Sequence, residues 1–156
     1  MYHGPMRQAV LQFKYQGVSA LAEELAPLVN EHLRAHPTEF DVIAPVPLAA
    51  DRLRQRGYNQ SQVLAESLAP LTGATVAAGA LRRTRSTQPQ ARLSGWEARH
   101  RNVDGAFEAD PAVVSGSRVL VLDDVCTTGA TLEACGQALR AAGAKPSWGF
   151  ALAREI

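Results

Sequence analysis

Residues 119–131, VLVLDDVCTTGAT, limit what this chain can fold into more than any other stretch. Val119, Leu120, Val121, Leu122 and Val125 form a short, β-branched apolar run of the kind that parallel sheets bury on both faces, which predicts a central strand. Asp123 and Asp124 are expected to end it. Cys126, Thr127, Thr128, Gly129, Ala130 and Thr131 follow, small residues and hydroxyls opening onto a helical pattern that begins near Thr131. A strand, a hydroxyl loop with a glycine, and a helix start bring backbone N–H groups, Thr hydroxyls and the positive helix end to one spot, which suits a phosphate. The two carboxylates stand just upstream, at the strand end where open α/β sheets bind their ligands. Carboxylates do not attract a phosphate, so their task is to accept hydrogen bonds from sugar hydroxyls or to face a bound cation. Phosphate on one side and diol on the other describe a ribose 5-phosphate.

The rest of the chain supplies the surroundings of such a strand. Residues 6–15 carry a helical pattern stopped by Gly17, and a second runs from a possible Ser19 cap with Leu21, Leu25, Leu28, Val29 and Leu33 as its apolar stripe. Pro27 predicts a kink or break there. Lys14 and Tyr15 are candidates to reach a ligand, against a simpler role in packing over the sheet. A strand is expected at 41–44, DVIA, closed by Pro45 and Pro47. Beyond Leu48 comes an extended loop in which Arg52, Arg54 and Arg56 alternate, a second segment able to face an anion or simply solvent. A helix follows from about Asn59 through Leu68, with Asn59 or Ser61 as cap. A weak strand is expected at 75–81, interrupted by Gly79, then a short strand at 104–107, a turn at 111–116, a helix from Thr131 to about Ala142, and a last strand at 147–153.

Residues 81–107 are the least regular part. Between positions 82 and 101 there are six arginines, Arg82, Arg83, Arg85, Arg92, Arg99 and Arg101, against the single acid Glu97, with Pro89 and Gly95 as breakers. A long loop in a compact domain is usually functional, and this one is expected to be a flexible lid at 82–103 that orders over an anion. Trp96 is a candidate hinge anchor or latch.

Composition narrows the class. A chain of 156 residues with 46% hydrophobic and 20% charged residues makes one soluble α/β domain, its parallel sheet flanked by helices with right-handed crossovers. No apolar run approaches a membrane span and the first residues do not resemble a secretory signal, so membrane insertion is not expected and a cytoplasmic location is. The formal charge is +1, and lysine occurs only at Lys14 and Lys145, leaving the positive charge to Arg, whose planar fork suits phosphate. Cys126 and Cys135 are too few for a disulfide scaffold or a Cys zinc site. Cys126 is either a small space filler or a thiol with its pKa lowered by the helix start.

The DD-x-x-TTG-x-T pattern after VLVL resembles the signature by which type I phosphoribosyltransferases bind phosphoribosyl pyrophosphate (PRPP); the G-x-x-x-x-G-K-[ST] spacing of a P-loop is absent. The resemblance implies a Rossmann-like phosphoribosyltransferase fold over 1–156, with 1–36 as a helical hood and 82–103 as the lid. It further implies that Asp123 and Asp124, as catalytic residues, hold the ribose hydroxyls, that 126–131 hold the 5-phosphate, and that Pro47, Leu48, Arg52 and Arg56 bind pyrophosphate. The lid arginines Arg82, Arg83, Arg85, Arg99 and Arg101 would complete the charge stabilisation. The cofactor implied is Mg2+, bound mainly through PRPP without a direct protein site, and the acceptor, a nucleobase or another nucleophile, stays open. PVPL with RGYNQS, QPQARL, and R-x-R-N-x-x-G-A-F are similar to the ComF/GntX group, related to a competence protein of bacterial DNA uptake. Many members begin with a cysteine-rich zinc segment, which is expected to be lacking here. That likeness implies an alternative: a DNA-uptake protein that touches single-stranded DNA and uptake partners through its Arg-rich loops, with or without catalysis.

Overall fold

The computed structural model describes residues 20–36, 38–85 and 95–154. The expected helix at 6–15, with Lys14 and Tyr15, lies outside them, as do residues 86–94 with Arg92. A four-stranded parallel sheet forms the centre, in the order β2-β1-β5-β6, built from β1 (Val42–Pro45), β2 (Thr75–Val76), β5 (Val119–Cys126) and β6 (Ser147–Arg154). The expected α/β class with a parallel, helix-flanked sheet is what the chain adopts.

The central strand explains the two-sided core. Successive side chains of a strand point to opposite faces. Val119 and Val121 therefore pack with Ala134, Cys135 and Leu139 of α6 (Ala130–Ala141), while Leu120 and Leu122 pack with Leu25 and Val29 of α1 (Leu21–Ala35) and with Leu64 and Leu68 of α3 (Gln60–Thr72). Pro27 does not interrupt α1: the helix runs through it, with Ala22, Leu25, Ala26, Val29 and Leu33 buried, and Leu28, expected in the apolar stripe, is 53% exposed. The buried stripe keeps Leu25, Val29 and Leu33 of the expected set and adds Ala22 and Ala26 in place of Leu28.

Four expectations need correction. The segment after Leu48 is not an extended loop: Ala50–Arg56 forms a short helix, α2, which places Arg52 and Arg56 on one half-buried side four residues apart and leaves Arg54 exposed. The 75–81 strand is two strands in two sheets, β2 and then β3 (Leu81–Arg83), which pairs antiparallel with β4 (Phe107–Ala109) rather than joining the main sheet. The ends of the expected flexible segment are regular, since β3 opens it and α4 (Trp96–Val103) closes it. The turn at 111–116 contains a short helix, α5 (Pro111–Val114), started by Pro at its first position and by Asp110, whose Oδ1 accepts from the Ala112 N–H at 2.9 Å. Among the described residues no helix is long and apolar enough to cross a membrane.

Candidate functional site

Strands β1 and β5 are parallel neighbours with Pro45 opposite Leu122, so the chain leaves both at the same edge of the sheet. Ligand sites of open α/β sheets form at that edge. Strand β5 continues through the acids to Cys126, with Asp123 opposite Ala151 and Cys126 opposite Arg154 of β6. The acids are thus part of the strand rather than its end, because β6 keeps pairing with it. Both are half-buried. Asp123 Oδ1 accepts from the Asp124 N–H at 2.8 Å, and Asp124 Oδ1 accepts from the Val125 N–H at 2.7 Å. Each carboxylate is therefore locked to the backbone of the following residue, which orients two adjacent negative groups without removing their charge.

The loop then reverses through Gly129, whose φ of 88° is the left-handed conformation that glycine adopts without steric cost, and α6 starts at Ala130, one residue before the expected point. Thr128 Oγ1 accepts from the Ala130 N–H at 3.4 Å. Asp123, Cys126, Thr127, Gly129, Ala130 and Thr131 share the lining of one cavity of about 50 Å³ with Val125 and Leu132. Six of the eight residues expected here therefore share one cavity, with Asp124 and Thr128 beside it. The Cys126 thiol departs from the lowered pKa weighed above. Burial first, and the neighbouring Asp123 charge second, push it up, against a backbone hydrogen bond from Gly129. It stands in the strand, where burial and the Asp123 charge outweigh the bond from the Gly129 N–H at the start of α6.

The cationic residues divide. Arg82 pairs with Glu108 across the β3–β4 hairpin, Arg85 Nη2 donates to the Asp104 carbonyl at 2.6 Å, and Arg101 meets Glu97 at 3.2 Å one turn away. These contacts tie the arm together. Arg99 lies in α4, its side chain outside the described residues, and the same holds for Trp96. Arg83 differs. It is half-buried, its Cζ stands 5.0 Å from the Phe107 ring centroid, and burial, then the charge of Arg52, push its pKa down while Asp123 and Asp51 oppose this. Arg83 of β3 thus lies in the field of both Arg52 of α2 and Asp123 of β5. Pro47 and Leu48 are half-buried between β1 and α2, and Arg56 Nη1 donates to Gln60 Oε1 at 2.9 Å.

Sequence reasoning missed Gln60 and the reach of Ser61. Ser61 is buried and its Oγ donates to Asp123 Oδ1 at 3.4 Å, from 62 positions away. It also missed His100, whose Nε2 stands 3.0 Å from Glu133 Oε2 and joins α4 to α6. Nothing in the local pattern signals contacts of that range.

The phosphoribosyl transferase domain model matches residues 20–153, nearly all of the described fold. The chain belongs to that family. Within it, the chain is similar to the DNA utilization protein YhgH of Salmonella typhi, 34% identical over 99% of this chain and 70% of that protein. It is also 32% identical to competence protein F of Haemophilus influenzae, over 97% of this chain and 70% of the other. Among solved structures, glutamine PRPP amidotransferase from B. subtilis shares the fold with a TM-score of 0.60 at 21% identity, over 92% of this chain and 30% of that one. Adenine phosphoribosyltransferase from Saccharomyces cerevisiae does so with a TM-score of 0.54 at 18% identity, over 87% of this chain and 69% of that one. Membership of a phosphoribosyl transferase family with competence-named relatives is therefore established for the chain.

Proposed function

We propose that this protein binds PRPP and transfers its phosphoribosyl group to an acceptor with release of pyrophosphate. The observation that carries this is the meeting, at one sheet edge, of a backbone-locked acid pair with a hydroxyl loop that opens a twelve-residue helix. Asp123 and Asp124 accept hydrogen bonds from the ribose hydroxyls. Thr127, Thr128, Thr131 and the first amides of α6 receive the 5-phosphate. Arg52, Arg56 and Arg83 face the diphosphate. In the reaction, the acceptor's electron pair forms a bond to the anomeric carbon as the bond from that carbon to diphosphate oxygen breaks, its electrons leaving with the diphosphate. The arginines stabilise that growing negative charge, and the acid pair faces the positive charge on the sugar ring.

The donor set fits magnesium held mostly by ligand and water oxygens. Asp123 and Asp124 offer hard oxygen atoms of the kind magnesium takes. When bound, the ion adds neutralisation of the diphosphate. Addition of PRPP with magnesium is expected to raise the thermal midpoint, and Asp124→Asn or Thr128→Ala to abolish the rise. An unmodified protein whose midpoint does not move overturns the proposal.

The names of the relatives, DNA utilization protein and competence protein F, favour a second reading in which Arg-rich surfaces bind single-stranded DNA. Its test is oligonucleotide affinity across salt concentrations, where phosphate contacts produce a steep decline. Affinity that is absent at low salt removes it, and competition by PRPP would put both ligands on one surface.

A further inference from the structure

The turn after α2 has no part in the ligand contacts described above, yet it bonds to three pieces that border them, the β1 loop, Arg56 and Asp123. Val46 sits between Pro45 and Pro47, so it holds the one backbone N–H of that run. This N–H donates to the Leu122 carbonyl at 2.9 Å. The Val46 carbonyl accepts from Asn59 Nδ2 at 3.0 Å, across 13 positions. Asn59 Oδ1 in turn accepts from the Ser61 N–H at 3.1 Å, capping α3. One amide side chain thus caps a helix with its oxygen and fastens the β1 loop with its nitrogen.

The next two residues repeat the pattern. Gln60 is 1% exposed and accepts from Arg56 through Oε1, while its buried Nε2 has no hydrogen-bond partner among the described residues. A buried amide with an idle donor carries a cost, while its oxygen accepts the bond that orients Arg56. Ser61, 3% exposed, donates to the same Asp123 oxygen that Asp124 N–H approaches.

We propose that Asn59, Gln60 and Ser61 form a positioning brace that fixes the β1 loop, Arg56 and Asp123 relative to one another. The brace rests on the proposed PRPP site for its purpose but not for its existence. The competing explanation is an ordinary helix cap that affects stability alone.

Asn59→Asp separates the two, because Asp caps a helix about as well as Asn but has no N–H to give Val46. Hydrogen exchange of residues 48–57 and of α3 is measured together with PRPP affinity in the presence of magnesium, for the unmodified protein and for N59D and Asn59→Ala. In N59D, exchange at 48–57 is expected to rise about tenfold, the loss of one hydrogen bond, while α3 and the thermal midpoint hold and PRPP binds about tenfold more weakly. N59A is expected to loosen α3 as well. Unchanged exchange at 48–57 in N59D overturns the brace. So does faster exchange with unchanged PRPP affinity, which leaves only a cap. If the unmodified protein ignores PRPP, the site proposal falls instead, and the exchange measurement still decides whether Asn59 holds the loop.

Discussion

The two ends of the central strand handle charge in opposite ways. At the amino end, Arg118 donates from Nε to Asp41 Oδ2 at 3.0 Å and reaches Asp41 Oδ1 and Glu39 with its other nitrogens. The backbone joins in, since the Asp41 N–H donates to the Arg118 carbonyl and the Arg118 N–H to Asp41 Oδ2. Opposite charges are matched there, in solvent. At the carboxyl end, like charges are neighbours: Asp123 beside Asp124, and Arg52 close enough to depress Arg83. Those groups are half-buried, where screening is weaker. One end is arranged to complete itself. The other sets like charges side by side, with the opposite charges of Asp123 and Asp51 also acting on Arg83.

Asp124→Asn breaks this contrast most sharply. It keeps an acceptor for the Val125 N–H and removes one of two adjacent negative charges, so the unliganded midpoint is expected to stay within about 3 °C while PRPP affinity falls by roughly a hundredfold, the loss of charge-assisted bonds. A large loss of stability without ligand would mean that the acid pair is structural. Next in size is Arg83→Met, which keeps an apolar stem against Phe107 and removes the charge. Pyrophosphate inhibition is expected to weaken about tenfold, and KM for PRPP to rise more than kcat falls. An unchanged inhibition constant would leave Arg83 as a packing residue of the hairpin.

The legible part of the site was the part written contiguously. Residues 119–131 contain strand, acids, loop and helix start in one local pattern, whose internal contacts, such as the Asp124 and Val125 N–H bonds to the acids and the Ala130 N–H bond to Thr128, span one or two positions. The cationic half was not legible. Helix α2 buries no residue, so Ala50–Arg56 has no apolar stripe to betray it. Strands β3 and β4 are three residues each and pair across a gap of more than twenty, which hides their register and made Arg82, Arg83 and Arg85 read as one mobile group. Burial then separated them, turning Arg83 inward and leaving Arg82 and Arg85 on the outside. The Cys126 thiol was open in sequence for a related reason: its shift depends on whether β6 extends the strand past the acids, and nothing near Cys126 states that.

A glycine at each end sharpens the comparison with a smaller effect. Gly129 has φ 88° and Gly116, just before β5, has φ 72°, and a Cβ at either would meet nothing within 4 Å. Alanine at either position therefore costs backbone strain alone, about 1 kcal/mol, seen as a drop of roughly 3 °C in the midpoint. Only Gly129→Ala is expected to weaken PRPP binding as well, since it distorts the start of α6. Equal effects of both variants on binding would place the consequence in global stability and not in the loop.

The smallest expected effect belongs to the amino end. The Arg118 guanidinium and N–H hold the Asp41 carboxyl at about 2, below its ordinary 3.8. A carboxyl lowered by folding stabilises the folded state only where it is ionised in that state: fully above its ordinary pKa, decreasing as pH falls from there through the folded value. Asp41→Asn should consequently be less stable than the unmodified protein at neutral pH, and the difference should shrink between about pH 4 and pH 2. Because the pair is exposed, the difference is small and falls with added salt. Denaturation midpoints across that pH range, at low and high salt, check both features. A gap that persists undiminished at pH 2 would mean that Asp41 acts through shape and not charge, and the two ends of the strand would then differ less in electrostatics than in packing. PRPP binding at neutral pH should be the same in D41N as in the unmodified protein, because the matched charges at this end share no contact with the loop that opens α6.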